Sequence, residues 1–157
     1  MFDEKFVIVS SADSPNYLPS NTPNSFSSVI VPPIQLDGDW VIGLSEIFIE
    51  FESLENTEVT GSGGHVIFDV YLSQVTGSVL GGCESNLLRR VIAFTANKRC
   101  KSVYANFENY YMLPLRSSSL NKLDFFIKQV KPENSSLAVN SHTRATLVLK
   151  RVRSQRV

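Results

Sequence analysis

The chain has 157 residues, 43% of them hydrophobic, which is enough for one globular domain and too few for two comfortable ones. Lysine plus arginine number 15 and aspartate plus glutamate number 15, so the formal net charge is zero, which argues against attachment to nucleic acid or membrane by bulk charge. No apolar run approaches the roughly 18 residues that span a bilayer, and residues 1–5 are acidic where a signal peptide is basic. We therefore expect one domain over residues 1–157, made inside a cell, not secreted by a signal peptide and without membrane contact.

The zero net charge conceals a division of the chain. Residues 1–86 contain twelve acidic residues and one basic residue, whereas residues 87–157 contain fourteen basic and three acidic residues. The two halves of the sequence therefore carry formal charges of −11 and +11. Either the halves neutralise each other within one subunit, or they form complementary surfaces that join copies of the chain.

Apolar side chains recur with a period of two in segments rich in Val, Ile, Phe and Tyr, a pattern that predicts β-strands. No segment of ten or more residues has an amphipathic helical period, so we expect little helix. About eight antiparallel strands predict an all-β fold, an eight-stranded antiparallel β-sandwich, for which a single jelly roll is one solution and an immunoglobulin-like sandwich the other. The predicted strands cover residues 5–11, 26–31, 40–51, 65–76, 87–95, 103–113, 123–130 and 144–152.

The third predicted strand changes phase along its length. Apolar residues at positions 40, 42 and 44 share one parity, and those at 47, 49 and 51 share the other, which predicts a bulge near residues 43–45. Before this strand, Pro32 and Pro33 are expected to stop one segment, and Gly38 between two aspartates is expected to form a tight turn that places Trp40 at the strand start. We expect Trp40 to pack in the core.

No catalytic motif is found in the sequence. The patterns G-x-S-x-G, H-E-x-x-H and G-x-x-x-x-G-K-[ST] do not occur, and His65 and His142 have no acidic or thiol neighbours, so we interpret them as surface or capping residues. We predict that the chain is not an enzyme and needs no cofactor. Cys83 and Cys100 are interpreted as thiols, with a disulfide between them as the open alternative.

Acidic residues cluster from the third predicted strand onward. Such a series could present carboxylates to calcium, but its spacing lacks the loop curvature of a dedicated site, so we prefer a solvated or partner-facing surface and predict no metal. The residues concerned are Glu46, Glu50, Glu52, Glu55 and Glu58.

Basic residues fall into three groups in the second half of the chain, and aromatic residues lie near them. Together they could bind phosphates and stack single-stranded bases, so nucleic acid is kept as a less favoured partner. The basic groups are Arg89 with Arg90, Lys98 and Arg99 with Lys101, and the C-terminal tail over residues 150–157; the aromatic residues are Tyr104, Phe107, Tyr110 and Tyr111.

The most distinctive residues lie in the first fifty positions and in the last third. They include Asn21 and Thr22, Phe26, and the run Pro33-Ile-Gln-Leu-Asp-Gly-Asp-Trp-Val-Ile-Gly-Leu-Ser-Glu-Ile47. Near the C-terminus, Leu120-Asn-Lys-Leu-Asp-Phe-Phe-Ile-Lys-Gln-Val130 precedes Ala145-Thr-Leu-Val-Leu-Lys-Arg151. This pattern resembles the penton-like minor capsid proteins of Polinton (Maverick) elements and adintovirus-like viruses.

The resemblance implies a single jelly roll that forms homopentamers at the fivefold vertices of an icosahedral capsid, beside a major capsid protein. It implies a virion localisation, and it marks Asn21, Thr22, Pro33, Gly38, Trp40, Gly43 and Glu46 as the structural motif. The alternative hypothesis is a non-enzymatic β-sandwich binding module that recognises a ligand, glycan or nucleic acid through its loops or basic tail.

The charge division supplies a hypothesis about the contact between subunits. Basic residues of one copy would meet carboxylates of its neighbour. The candidate basic residues are Arg89, Arg90, Lys98, Arg99, Arg151 and Arg153, and the candidate carboxylates are Glu46, Glu50 and Glu52.

Overall fold

The structure is a computed structural model that describes residues 4–12, 18–50, 64–95, 102–131 and 142–152. Within these ranges every regular element is a β-strand, and no helix is long and apolar enough to cross a membrane. The strands are β1 (Glu4–Ser10), β2 (Ser25–Gln35), β3 (Trp40–Glu50), β4 (Gly64–Leu72), β5 (Ser78–Leu80), β6 (Cys83–Ser85), β7 (Leu87–Thr95), β8 (Ser102–Asn106), β9 (Leu113–Pro114), β10 (Ser119–Lys131) and β11 (Thr143–Arg151).

Apart from the two-stranded β5–β6 hairpin, the described strands form two antiparallel sheets. Sheet A has the order β1-β11-β3-β8, with β9 also paired to β3, and sheet B has the order β2-β10-β4-β7. Without the short strands β5, β6 and β9, eight strands remain. If these eight are renumbered 1 to 8 in chain order, sheet A has the order 1-8-3-6 and sheet B the order 2-7-4-5. Each sheet thus interleaves early and late strands, as two Greek keys in a jelly roll do. The predicted fold class is confirmed.

Several predicted strand bounds were wrong. The structure has eleven strands in its described part, because residues 78–85 form a separate hairpin, β5–β6, around Gly81 and Gly82, whose φ angles are 59° and 82°. The segment predicted over 65–76 ends at Leu72, where a turn brings the N–H of Val75 to the C=O of Leu72 at 3.2 Å. The segment predicted over 103–113 divides into β8 and β9.

The two prolines of β2 do not stop the strand. β2 continues to Gln35, and its pairing with β10 shifts so that residues 30–33 lie opposite the single residue Asn121. Proline has no N–H to donate, so Pro32 and Pro33 are tolerated where the ladder is interrupted. The expectation that they end a segment was therefore wrong.

The predicted bulge in β3 is confirmed. Thr146 pairs with Glu46 and Leu147 pairs with Leu44, which leaves Ser45 as the extra residue on β3. The extra residue changes the phase of the strand. Leu44 before it and Ile47 after it can therefore both point into the core, where each is 1% exposed.

The core lies between the two sheets and is made by the inward side chains of both. Trp40 is buried, as predicted, and its indole N–H donates to the C=O of Asp37 at 3.1 Å. Phe26 of β2 and Phe125 of β10 stack with ring centroids 5.0 Å apart. The larger fully buried side chains are Ile42, Leu44, Ile47, Ile49, Phe68, Leu72, Leu120, Leu123, Ile127, Leu147 and Leu149.

The motif residues before β3 shape the chain at its turns. The side-chain amide of Asn21 donates to the C=O of Ser27 at 2.9 Å and accepts from the N–H of Ser27 at 3.0 Å, which holds the start of β2. The hydroxyl of Thr22 donates to Asn24 within the turn. Gly38 has a φ of 84°, a conformation that favours glycine, between β2 and β3.

Gly43 has a role that differs from the one predicted. It lies beside the bulge and not in it, and the segment that links β8 to β9 crosses the sheet over it. A Cβ atom at Gly43 would lie 2.7 Å from the sulfur of Met112 and 3.1 Å from the C=O oxygen of Tyr111. Glycine is needed here because of this close approach.

Candidate subunit interface

The opposite charges of the two halves meet inside one subunit. Because the jelly roll interleaves early and late strands, residues that are far apart in sequence become neighbours. Three ion pairs among the described residues join the acidic half to the basic half: Asp69 with Arg90 at 2.7 Å, Glu84 with Arg116 at 3.6 Å, and Glu4 with Lys150 at 3.4 Å. Part of the opposite charge of the two halves is therefore neutralised within one subunit, without a second copy of the chain.

Arg90 is engaged within its own chain. Asp69 of β4 and Arg90 of β7 are register partners on the outer face of sheet B. The guanidinium Nε and Nη2 donate to Asp69 Oδ1 and Oδ2 at 2.7 and 2.8 Å. This bidentate contact with Asp69 raises the pKa of Arg90, and the Asp69 side chain is only 4% exposed.

The neighbouring Arg89 has a different environment because adjacent residues of a strand point to opposite faces. Its guanidinium carbon lies 3.7 Å from the ring centroid of Phe107 and 4.5 Å from that of Tyr111, and Nη1 donates to the C=O of Asn109 at 2.7 Å. Burial lowers the pKa of Arg89. Arg89 thus contacts the segment that follows β8 and holds it against β7. Phe107 and Tyr111, which were candidates for stacking bases, pack on the Arg89 guanidinium instead.

Glu46 lies on the outer face of sheet A, next to the bulge. Its carboxylate accepts hydrogen bonds from the hydroxyls of Thr146 at 2.7 Å and Tyr104 at 2.9 Å. The bond from Thr146, followed by the bond from Tyr104, lowers the pKa of Glu46, whereas the bond to Glu46 raises the pKa of Tyr104. The carboxylate is therefore held in its ionised form and oriented.

A shallow pocket of about 310 Å³ surrounds Glu46. Phe48 and Tyr104 supply aromatic surface, and Arg144 and Thr146 line the pocket on the β11 side. Tyr104 is 60% exposed. The pocket therefore offers one anion, one cation and an aromatic surface to whatever lies on this face.

The edge of sheet A exposes large apolar side chains. Phe6 and Ile8 of β1 are 63% and 68% exposed, and the register places Ile8 beside Thr146. Together with Tyr104 they make one face of sheet A partly apolar. Thr146 and Glu46 lie between Ile8 and the β8 edge that carries Tyr104, but neighbouring exposed apolar residues such as Phe6 and Ile8 mark interaction sites more often than isolated ones do.

The other residues predicted to form the subunit contact are dispersed. Glu50 is exposed at the end of β3, and Arg151, at the end of β11, lies against Gly38 and is a register partner of Trp40. Arg151 and Glu50 therefore sit at opposite ends of sheet A. Lys98, Arg99, Arg153 and Glu52 lie outside the described residues.

The described residues contain no group of three or more His, Cys, Asp or Glu side chains that could hold a metal ion. Glu52, Glu55 and Glu58 of the acidic series lie outside the described part. Cys83 is a free, exposed thiol on β6, and Cys100 also lies outside the described part.

The exposure of Phe6 and Ile8 was not predicted from the sequence. Both lie in a run of alternating apolar residues that also contains Val7 and the buried Val9. A strand that is apolar on both faces could have indicated this, because apolar residues on the face away from the core are often covered by another protein surface. Asp69 was missed as well, since its partner lies 21 residues away.

Comparison with known proteins gives weak likenesses only. No protein-family profile matches the chain, and no curated protein matches it. Among solved structures, the T13 viral particle of infectious bursal disease virus is similar at 10% identity and a TM-score of 0.28, over 96% of this chain and 31% of that one.

Two further structures come from the same virus. The VP2 subviral particle is similar at 11% identity and a TM-score of 0.27, over 94% of this chain and 33% of that one. A mutant VP2 in T=1 particles is similar at 12% identity and a TM-score of 0.28, over 94% and 32%. The chain spans about a third of these capsid-shell chains, and scores this low carry no argument about function.

Proposed function

We propose that this chain is a structural subunit of a viral capsid, a penton-like protein that forms homopentamers at fivefold vertices, contacts a major capsid protein and resides in the virion. It has no catalytic role. The observation that carries the proposal is that the outer face of sheet A exposes apolar side chains at both edges, Phe6 and Ile8 on β1 and Tyr104 on β8. A jelly roll alone does not imply a function, whereas a self-assembling subunit needs such a face.

The motif resemblance supports the same proposal. Its residues occupy demanding positions: Gly38 at a positive φ, Trp40 in the core, and Gly43 under a crossing segment. In this proposal Glu46 and Glu50 are the carboxylates that meet a neighbouring copy. Arg151 and Arg153 are the preferred basic partners, because Arg89 and Arg90 already have partners within the subunit.

Native mass spectrometry over a range of concentrations tests the proposal. We expect five-subunit rings or larger closed particles, weakened by added salt where charged residues form the contact. A strict monomer at high concentration and at every salt concentration would contradict a capsid role.

The binding-module alternative is favoured by one observation, the pocket beside Glu46 with its exposed Tyr104. If this pocket or the basic tail binds single-stranded nucleic acid, affinity falls steeply as salt is added. Fluorescence anisotropy with a labelled oligonucleotide at low salt separates the two functions, because a capsid subunit that binds only proteins leaves the anisotropy unchanged.

A further inference from the structure

β1 is an outermost strand of sheet A among the described residues. It pairs with β11 on one side, in a register that runs from Glu4 to Ser10 without a shift, and it contains no proline. Natural sheet edges are usually protected by proline, bulges, charged side chains or short strands, and of these β1 has only the charged residues Glu4 and Lys5 at its start. Beyond Lys5 the edge presents its outward N–H and C=O groups to another strand.

The direction of these backbone groups follows from one hydrogen bond. The N–H of Ser11 donates to the C=O of Thr143 at 2.8 Å, in the same register as Ser10 opposite Arg144. Alternate residues of an antiparallel strand bond to the same neighbour, so Val7 and Val9 bond to β11. Phe6 and Ile8 direct their N–H and C=O groups away from it.

We propose that a second copy of this chain docks its β1 against β1, antiparallel, about a twofold axis at Val7. This register makes Phe6 of one copy and Ile8 of the partner subunit a hydrogen-bonded pair, and the twofold axis repeats the pair in the other direction. Each exposed apolar side chain is thereby covered by the other. A shift of two residues either way shortens the overlap and places Ile8 opposite Glu4, or Phe6 opposite Ser10.

This contact rests on the proposed function, which supplies many copies of the chain. A twofold contact uses the same surface on both subunits, whereas a ring of five requires two different surfaces. Phe6 and Ile8 therefore belong to the twofold contact, and the ring uses the charged residues proposed above and the Tyr104 side of sheet A, where β8 is the opposite edge. A chain with both contacts can join one pentamer to another and close a shell in the absence of another protein.

Disulfide trapping tests the register. In a background with Cys83→Ser and Cys100→Ser, Val7→Cys places two thiols across the axis in a non-hydrogen-bonded pair, with Cα atoms about 4.5 Å apart. The matched control is Lys5→Cys, whose thiols lie four residues apart along the strands, about 13 Å. Since a disulfide needs Cα atoms within about 7 Å, mild oxidation should yield at least about tenfold more covalent dimer from Val7→Cys than from Lys5→Cys.

Amide hydrogen exchange on the unmodified protein is a second test of the β1 contact, and it does not require that any variant folds. The amides of Phe6 and Ile8 should become protected only at concentrations where the protein associates, whereas those of Val7 and Val9 are protected throughout. Adding Ile8→Lys to the Val7→Cys variant should remove the cross-link.

The outcomes separate the inference from the proposed function. If native mass spectrometry shows oligomers but Val7→Cys cross-links no better than Lys5→Cys, or Phe6 and Ile8 stay unprotected, the β1 contact is wrong and the capsid proposal stands. If the protein is monomeric at every concentration, both are wrong.

Discussion

The guanidinium of Arg90 holds both carboxylate oxygens of Asp69 on the outer face of sheet B, at 2.7 and 2.8 Å. Most charged residues on an outer sheet face are solvated, yet Asp69 is 3% exposed. This ion pair therefore differs from the surface ion pairs in that its carboxylate is buried. It also gives Asp69 a partner that the sequence did not reveal.

Removing Arg90 alone should be costly. Arg90→Met leaves the buried Asp69 carboxylate without its partner, and since the Arg90 side chain is 45% exposed we expect the free energy of unfolding to fall by about 1–3 kcal/mol. The double variant Arg90→Met with Asp69→Asn should lose less unfolding free energy than the two single variants lose in total. Urea denaturation of the four proteins measures the coupling.

The Glu4–Lys150 pair is the control for this cycle. Its side chains are 43% and 42% exposed and 3.4 Å apart, so Lys150→Met should cost less than about 1 kcal/mol. Equal costs for Arg90→Met and Lys150→Met would show that burial of Asp69 does not matter.

Arg89 should act on the stability of the subunit. Arg89→Gln removes the stacking on Phe107 and Tyr111 and the bond to Asn109, and we expect a loss of about 1–3 kcal/mol and faster hydrogen exchange over residues 107–111. Arg89→Lys keeps the charge but not the planar fork, so it should recover only part of the loss. If Arg89 is instead a contact between subunits, these variants will lower the oligomer mass and leave the melting temperature of the monomer unchanged.

Glu46 should contribute to stability above acidic pH. Its pKa is lowered in the folded chain, so its contribution is fully present above the ordinary pKa of an unfolded glutamate, about 4.3, and is lost as pH falls through the lowered value. NMR titration of the carboxyl carbon should give a higher pKa in Thr146→Val, with a smaller rise in Tyr104→Phe. An unchanged pKa in Thr146→Val would contradict the hydrogen bond.

Gly43→Ala should disturb the crossing segment. The added Cβ meets the sulfur of Met112 and the backbone oxygen of Tyr111, and overpacking of this kind costs about 1–3 kcal/mol. Met112→Ala in the same chain removes the first clash and should restore part of the melting temperature. If the backbone contact dominates, the double variant will melt no higher than Gly43→Ala with Met112 intact.

Strand periodicity predicted much of the fold because the alternation of apolar residues reports which face is buried. The phase change around Gly43 predicted a bulge that Ser45 forms, and the predicted burial of Trp40 is confirmed. The route of β2 through Pro32 and Pro33 was not predictable, since it depends on where β10 interrupts its pairing.

The candidate interface was less predictable from patterns. Arg89 and Arg90 look equivalent in the sequence, but adjacent strand residues face opposite sides, and their partners come from different elements. Arg90 meets Asp69 across a strand ladder, while Arg89 meets the aromatic residues of a loop. Only the register of β4 with β7 and the path of the chain after β8 distinguish the two.

By itself the sequence determined a β-sandwich, from its period of two, and a chain with acidic and basic halves that sum to zero. It could not determine where those charges go, because that depends on which strands are neighbours. The jelly-roll order places β1 beside β11 and β4 beside β7, so Glu4 meets Lys150 and Asp69 meets Arg90 within one subunit. The tertiary structure alone decided which of these charges meet, because the order of the strands in each sheet sets which residues are neighbours.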